Sequence, residues 1–195
     1  MEISERLNLF KEPLNYIVNP EIKAFAIKAV EILPDYFFEI PASSTGKYHP
    51  AYSLGEGGLL RHTLAAVRFA LELFRQEMWK FNDEARDLIL VAIMVHDGWK
   101  SGIVQTKFSV TEHPLLAVQA LSENDELMAL LPKEQTDFIF SAIKTHMGQW
   151  VEDYKTHKVV LEKPKTMSQI FVHLVDYLAS RKSVSVDFSI PPSAS

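Results

Sequence analysis

Eight consecutive apolar residues, Leu88 to Val95, run directly into the pair His96-Asp97, and Gly98-Trp99-Lys100-Ser101-Gly102 follows. An apolar run of that length belongs inside a core, as a helix or a strand. Ending it with an imidazole beside a carboxylate carries two polar groups to the edge of that core, where burial is costly unless something compensates it. A divalent metal ion compensates both at once, because it takes the carboxylate ionised and the imidazole neutral. On that reading the fold has to bring further ligands to the end of this run.

The chain has 195 residues, 47% of them hydrophobic, which suits one domain over 1–195 with a substantial core and excludes global disorder. Cysteine is absent, so disulfides, thiolate zinc sites, iron–sulfur clusters and cysteine nucleophiles are all excluded. A net charge of −5 argues against tight binding to long nucleic acid, yet leaves room for a local positive pocket around a small phosphate. The first ten residues carry acids and no long apolar stretch, and the longest apolar run is far short of a membrane span. The expectation is a cytoplasmic protein with no membrane partner.

Hydrophobic spacing predicts an almost wholly helical chain. Ile22, Phe25, Ala26, Ala29, Val30 and Leu33 give a helix from Pro20 to Leu33, within a helical extension over 1–40. Residues 41–58 are rich in Pro, Ser and Gly and read as a long loop leading into the next helix. That helix is predicted from Leu59 to Lys80. Its main apolar face is Leu60, Leu64, Val67, Leu71 and Phe74; Arg61, Arg68, Glu72 and Arg75 form a polar stripe read as a solvated face. His62 lies off that stripe. Asn82-Asp83-Glu84 opens the helix that ends at His96-Asp97. Further helices are expected over Glu112–Ser122, Asp125–Leu131, Glu134–Met147 and Thr166–Lys182, with His146 on an apolar face and Asp176 the lone acid within its apolar stretch. A hairpin is the expectation near Val159 to Leu161, and the tail 183–195 reads as strand-like or frayed.

The ligand-type residues at apolar or helix-terminal positions are His62, His96, Asp97, His113, His146 and Asp176. Four histidines and two aspartates, delivered by five helices, are the inventory for a two-metal site with one bridging carboxylate. For His113 and His146 a capping or core role is the competing reading, and it would leave a mononuclear site.

The order His … His-Asp … His … His … Asp, with Gly58-Leu59-Leu60-Arg61-His62-Thr63, then His96-Asp97-Gly98-Trp99-Lys100, then Asp176, resembles the HD-domain superfamily of metal-dependent phosphohydrolases over roughly Gly57 to Arg181. The resemblance implies an all-α helical bundle, with its core at about 57–182 and the metal site between core helices. It implies that His62, His96, Asp97 and Asp176 hold a first metal, and that Asp97 bridges to a second held by His113 and His146. Lys100 matches a basic residue placed to contact phosphate. Trp99 stands where many members have a small residue and is expected to wall the pocket. Thr145-His146-Met147-Gly148 lacks the His-His doublet of the cyclic-dinucleotide branch, and a Gly-Tyr-Pro signature is missing too. Lys47-Tyr48-His49-Pro50 is similar to members acting as 3′–5′ exoribonucleases, whose extra nucleic-acid-binding domain has no room here.

The implied chemistry is hydrolysis of a phosphoester in a nucleotide or short oligonucleotide by metal-activated water, with Asp97, Lys100 and His49 as the catalytic set and His49 supplying a proton to the leaving oxygen. Divalent manganese, iron, cobalt, nickel, zinc or magnesium would suit the ligands. Two alternatives stand beside it: a di-iron oxygenase on a similar scaffold acting on a small polar substrate, and a catalytically silent nucleotide-binding module. Self-association through an exposed apolar face is a further expectation for a bundle of this size. Mass-spectrometric metal analysis of anaerobically handled protein should find about two ions per chain; about one would remove His113 and His146 from the ligand list, and none after reconstitution would remove the site.

Overall fold

The computed structural model describes residues 1–192, and these are helical with no β-strand among them. The helices are α1 (Ile3–Leu9), α2 (Lys11–Asn15), α3 (Pro20–Glu31), α4 (Gly58–Leu73), α5 (Asp83–Val95), α6 (His113–Ser122), α7 (Asp125–Met128), α8 (Lys133–Thr145) and α9 (Met167–Ala179). Two 3₁₀ turns, Asp35–Phe38 and Ala51–Ser53, punctuate the connection from α3 to α4. No helix among the described residues is long and apolar enough to cross a membrane.

Local sequence explains where the helices start. The Asn19 side chain accepts the backbone N–H groups of Glu21 and Ile22, with Pro20 in the first turn of α3. Asn82 caps α5 through Ala85 N–H, and Thr166 with Gln169 forms a capping box at α9. In α5 every residue from Asp87 to Val95 is buried. A helix apolar on all sides has to be surrounded, and α5 packs against α3, α4, α8 and α9. Its one buried acid, Asp87, accepts the N–H groups of Val18 and Asn19 and so ties the entry of α3 to the central helix. Burial pushes the Asp87 carboxyl above its usual value.

The structure corrects several sequence expectations. Helix α4 stops at Leu73, not Lys80, and the chain turns through Arg75 and Gln76 with i→i+3 hydrogen bonds. A straight continuation would carry Trp79 and Phe81 away from the core. The turn instead packs Phe74, Trp79 and Phe81 around Phe171 at centroid distances of 4.9, 5.0 and 5.3 Å. The polar stripe is only partly a solvated face: Glu72 and Arg75 are exposed, but Arg61 and Arg68 are engaged by other segments. Arg61 donates to the carbonyls of Tyr52, Leu54 and Glu56 and pins the loop to α4. Arg68 forms a forked pair with Glu12 and donates to Asp187 and Ile190 carbonyls, with its guanidinium 4.8 Å above the Phe188 ring. The tail is therefore docked by hydrogen bonds and by Phe188 rather than frayed or paired as a strand; residues 193–195 lie outside the described residues. The expected hairpin near Val159 reduces to one isolated bridge, Glu152 to Val159. Trp99 is 6% exposed and belongs to the hydrophobic core, so it does not wall the pocket.

The loop before α4 crosses the helix start at very close range. A Cβ at Gly58 would lie 2.4 Å from the Ser53 carbonyl oxygen and 3.0 Å from Pro41 Cα, both backbone atoms that cannot rotate away. Gly58→Ala should therefore destabilise the fold by about 1–3 kcal/mol, the usual cost of overpacking, read as a lower denaturation midpoint. An unchanged midpoint would show that the loop is free to lift off α4.

Candidate metal centre

Five helices deliver the six ligand-type residues to one place. His62 comes from the second turn of α4 and Asp176 from the last turn of α9. His96 and His146 are the C-caps of α5 and α8, and His113 opens α6. Two helix C-termini thus converge on the site, and the negative end of a helix favours a cation. The histidines and Asp97 are buried; Asp97 is 1% exposed.

The donor atoms form two groups that share Asp97. His62, His96, Asp97 and Asp176 place one ligand atom each within 4.8 Å of one another, and so do Asp97, His113 and His146. The two carboxylate oxygens of Asp97 divide the labour. Oδ2 lies 3.8 Å from His62 Nε2 and 3.5 Å from His96 Nε2. Oδ1 lies 2.9 Å from His113 Nε2 and 3.5 Å from His146 Nε2. Asp176 closes the first group, with Oδ1 2.9 Å from His62 Nε2 and 3.5 Å from His96 Nε2.

Backbone carbonyls set which ring nitrogens face inward. The Nδ1–H groups of His96, His113 and His146 donate to the carbonyls of Ile93, Val110 and Ile143, each three residues back and each at 2.7 Å. The neutral ring then turns a bare Nε2 toward the centre, the tautomer a metal requires. A consequence follows for His113 and His146. Their Nε2 atoms are 3.2 Å apart with Asp97 Oδ1 beside them, so three lone-pair donors face one another. Asp97 Oδ1 and His96 Nε2 are also buried without a hydrogen-bond partner. A buried cluster of this kind is repulsive unless a cation sits among it. Four imidazoles and two carboxylates match borderline divalent ions, so the residues present fit the metal that the sequence implies. His62 differs from the others, because its Nδ1 is buried and unpartnered.

Electrostatics point the same way at Asp97, Asp176 and His146; at His96 burial pushes the imidazole down but Asp97 and Asp176 outweigh it and raise it, favouring a proton that a divalent ion would replace. Burial pushes the Asp97 carboxyl up, but the Lys100 ammonium and His96 outweigh it and hold it well below the usual carboxylate range. Burial likewise opposes ionisation of Asp176, and His62 and His96 outweigh it. Burial pushes His146 down to about 4, which keeps its lone pair free at neutral pH. A second layer braces this residue. The His173 ring hydrogen-bonds the His146 carbonyl through Nδ1 at 2.8 Å, and Gly148, in the left-handed region at φ +65°, leaves the space the His173 ring fills; a Cβ there would lie 2.1 Å from it.

All six sequence-predicted ligands meet here, and both other candidates lie at the edge. Lys100 Nζ donates to Asp97 Oδ2. The His49 ring centroid is 6.0 Å from that of His62, and burial followed by the charge of Lys100 lowers its pKa to about 4. Both line an open cleft of about 520 Å³, together with His113, Trp150, Asp153 and Tyr154. His157 also lines it and is exposed. Sequence reasoning missed Trp150, a lone aromatic after Gly148-Gln149 whose only signal was its polar surroundings. It also missed the loop-pinning role of Arg61.

In comparison with known families, the model described as HD domain matches residues 59–181, more than half of the chain. No curated protein and no solved structure matches it. The shared carboxylate leads to two expected outcomes in metal analysis. Asp97→Ala should lose both ions, and full retention would overturn the bridging assignment. His146→Ala should lose the second ion and keep the first; loss of neither would remove His146 from the ligands.

Proposed function

The chain belongs to the HD-domain family, and from that premise we propose that it is a metal-dependent phosphoric ester hydrolase acting on a nucleotide or short oligonucleotide. The HD domain is typical of metal-dependent hydrolases. The observation that carries the reading is the division of Asp97, one oxygen to each donor group. With one Asp97 oxygen in each, the two donor groups would each hold a cation and together would supply the two-metal chemistry used for displacement at phosphorus.

The chemistry such ions supply when bound is Lewis acidity, which acidifies a water and offsets charge on phosphoryl oxygens. The chain's own residues provide the rest. Asp97 is held ionised by Lys100 and His96 and so keeps both donor groups anionic enough for divalent ions. The carbonyl clamps on His96, His113 and His146 fix the rings before any ligand arrives, so little reorganisation is left for the reaction itself. Lys100 has three N–H donors. One is given to Asp97, and the position of Lys100 on the cleft wall lets the others meet a phosphoryl oxygen. His49 is neutral at pH 7 with its pKa near 4; we assign it an N–H hydrogen bond to the ester or leaving oxygen, rather than the delivery of a stored proton. Its buried Nδ1 lacks a protein partner, in keeping with a substrate contact.

A panel of nucleotides and short oligonucleotides, assayed with manganese, cobalt, nickel, zinc, iron and magnesium in turn, tests the proposal. Phosphoester cleavage abolished by chelation is the expected result. An iron-loaded protein that cleaves nothing on the panel but consumes dioxygen would replace it with the oxygenase reading. Assayed with metal in excess, so that loss of the Lys100 charge beside Asp97 does not limit loading, Lys100→Met should lower kcat/KM by about 10²-fold or more, as expected for loss of one preorganised donor to developing charge. A change below twofold would remove Lys100 from the phosphate contacts.

A further inference from the structure

The mouth of the cleft carries a stack that the hydrolytic chemistry does not use. Trp150 lies against Tyr177 with ring centroids 5.9 Å apart and planes 14° from parallel. The Arg181 guanidinium covers Tyr177 at 4.5 Å from its centroid. Three planar groups from two segments thus form a ladder, Arg181 on Tyr177 and Tyr177 on Trp150. Arg181 also lies 5.9 Å from the Tyr48 ring, next to His49 in sequence. Trp150, at the end of the ladder, is 44% exposed and lines the same cleft as Lys100 and His113. The indole also meets the His173 ring edge-on at 6.1 Å, so two rings hold it, yet it stays far more exposed than Trp79 and Trp99, which are 7% and 6% exposed.

We propose that Trp150, held by Tyr177 and Arg181, is the platform on which the base of a nucleotide substrate stacks while its phosphate reaches the metal centre. The proposal rests on the hydrolase reading above and names its substrate class. Three observations carry it. Aromatic faces are sequence-tolerant sites for nucleobases, and this one is preorganised, since its rotamer is already set by Tyr177. Lys100 and His113, both against Asp97, line the same cleft as Trp150, so a phosphate drawn to that cationic end leaves its base to meet the indole. Glu152 on the same lining can accept hydrogen bonds from amino groups of a base, whereas Asp153 already accepts from Thr111 and Thr156. A volume of about 520 Å³ suits one small ligand rather than a long strand.

The test uses the metal-loaded full-length protein and five probes, AMP, GMP, CMP, UMP and ribose 5-phosphate, with dissociation constants from calorimetry and tryptophan fluorescence recorded in parallel. At least one nucleotide should bind about fivefold or more tightly than ribose 5-phosphate, the lower end of what one base–aromatic stack is worth, and should quench the fluorescence. The gap should close in Trp150→Ala and in Trp150→Leu, which keeps an apolar side chain without a π face, and should largely persist in Trp150→Phe. Equal affinity for ribose 5-phosphate and all four nucleotides would overturn the proposal. So would a gap that survives in Trp150→Leu. Turnover is scored separately: a Trp150-dependent gap without cleavage of any phosphoester keeps the base site and removes the hydrolase reading, whereas nucleotide cleavage without the gap keeps the hydrolase reading and removes the base site.

Discussion

The burial of one carboxylate, Asp97, organises this molecule. It is 1% exposed, stands at the end of a helix whose residues from Asp87 to Val95 are all buried, and has four imidazole nitrogens within 4 Å, two beside each oxygen. An isolated ionised group in such a place is prohibitively unstable. Lys100 supplies one positive charge, but a single ammonium leaves Oδ1 unpartnered among the bare nitrogens of His113 and His146. The geometry makes sense as a set of lone pairs collected for cations. Holding them together against their mutual repulsion takes the packing of five helices.

The scaffold meets that demand with backbone groups that helices leave over. The carbonyls of Ile93 and Ile143 fall in the last turns of α5 and α8, where helical N–H donors run short; Ile143 also accepts a 3.3 Å bond from the His146 backbone N–H. Donation from His96 and His146 Nδ1 satisfies these carbonyls and aims the rings inward. One contact thus finishes a helix and orients a ligand. The same economy appears in Arg61 and Arg68, which use polar helix positions to fasten the loop and the tail to α4. The loop so fastened carries His49 to the site.

Around this rigid centre the cleft wall comes from less regular chain. Residues 149–161 hold one isolated bridge and carry Trp150, Asp153, Tyr154 and His157. The donor atoms that would hold metal sit on helix ends, and the aromatic groups proposed to meet a ligand's base sit on a loop and on α9. That separation is what lets one metal-binding scaffold serve different substrates.

The sequence by itself determined the helical class, the helix starts at Asn19, Asn82 and Thr166, and which six His and Asp side chains gather at the buried donor cluster. These depend on local capping chemistry, on hydrophobic period, and on the rarity of His and Asp within apolar runs, all readable along the chain. Tertiary structure decided where α4 ends, because Trp79 and Phe81 gain more by packing on Phe171 than by extending the helix. It decided the role of the arginine stripe, since the carbonyls that Arg61 and Arg68 bind belong to segments as far away as residue 190. It placed Trp99 in the core and Trp150 at the cleft, a distinction that composition cannot draw between two tryptophans. It also gave each oxygen of Asp97 its own group of nitrogens. Periodicity specifies which face of a helix is buried, but which atoms meet there depends on how five helices cross, and that is a property of the packed chain.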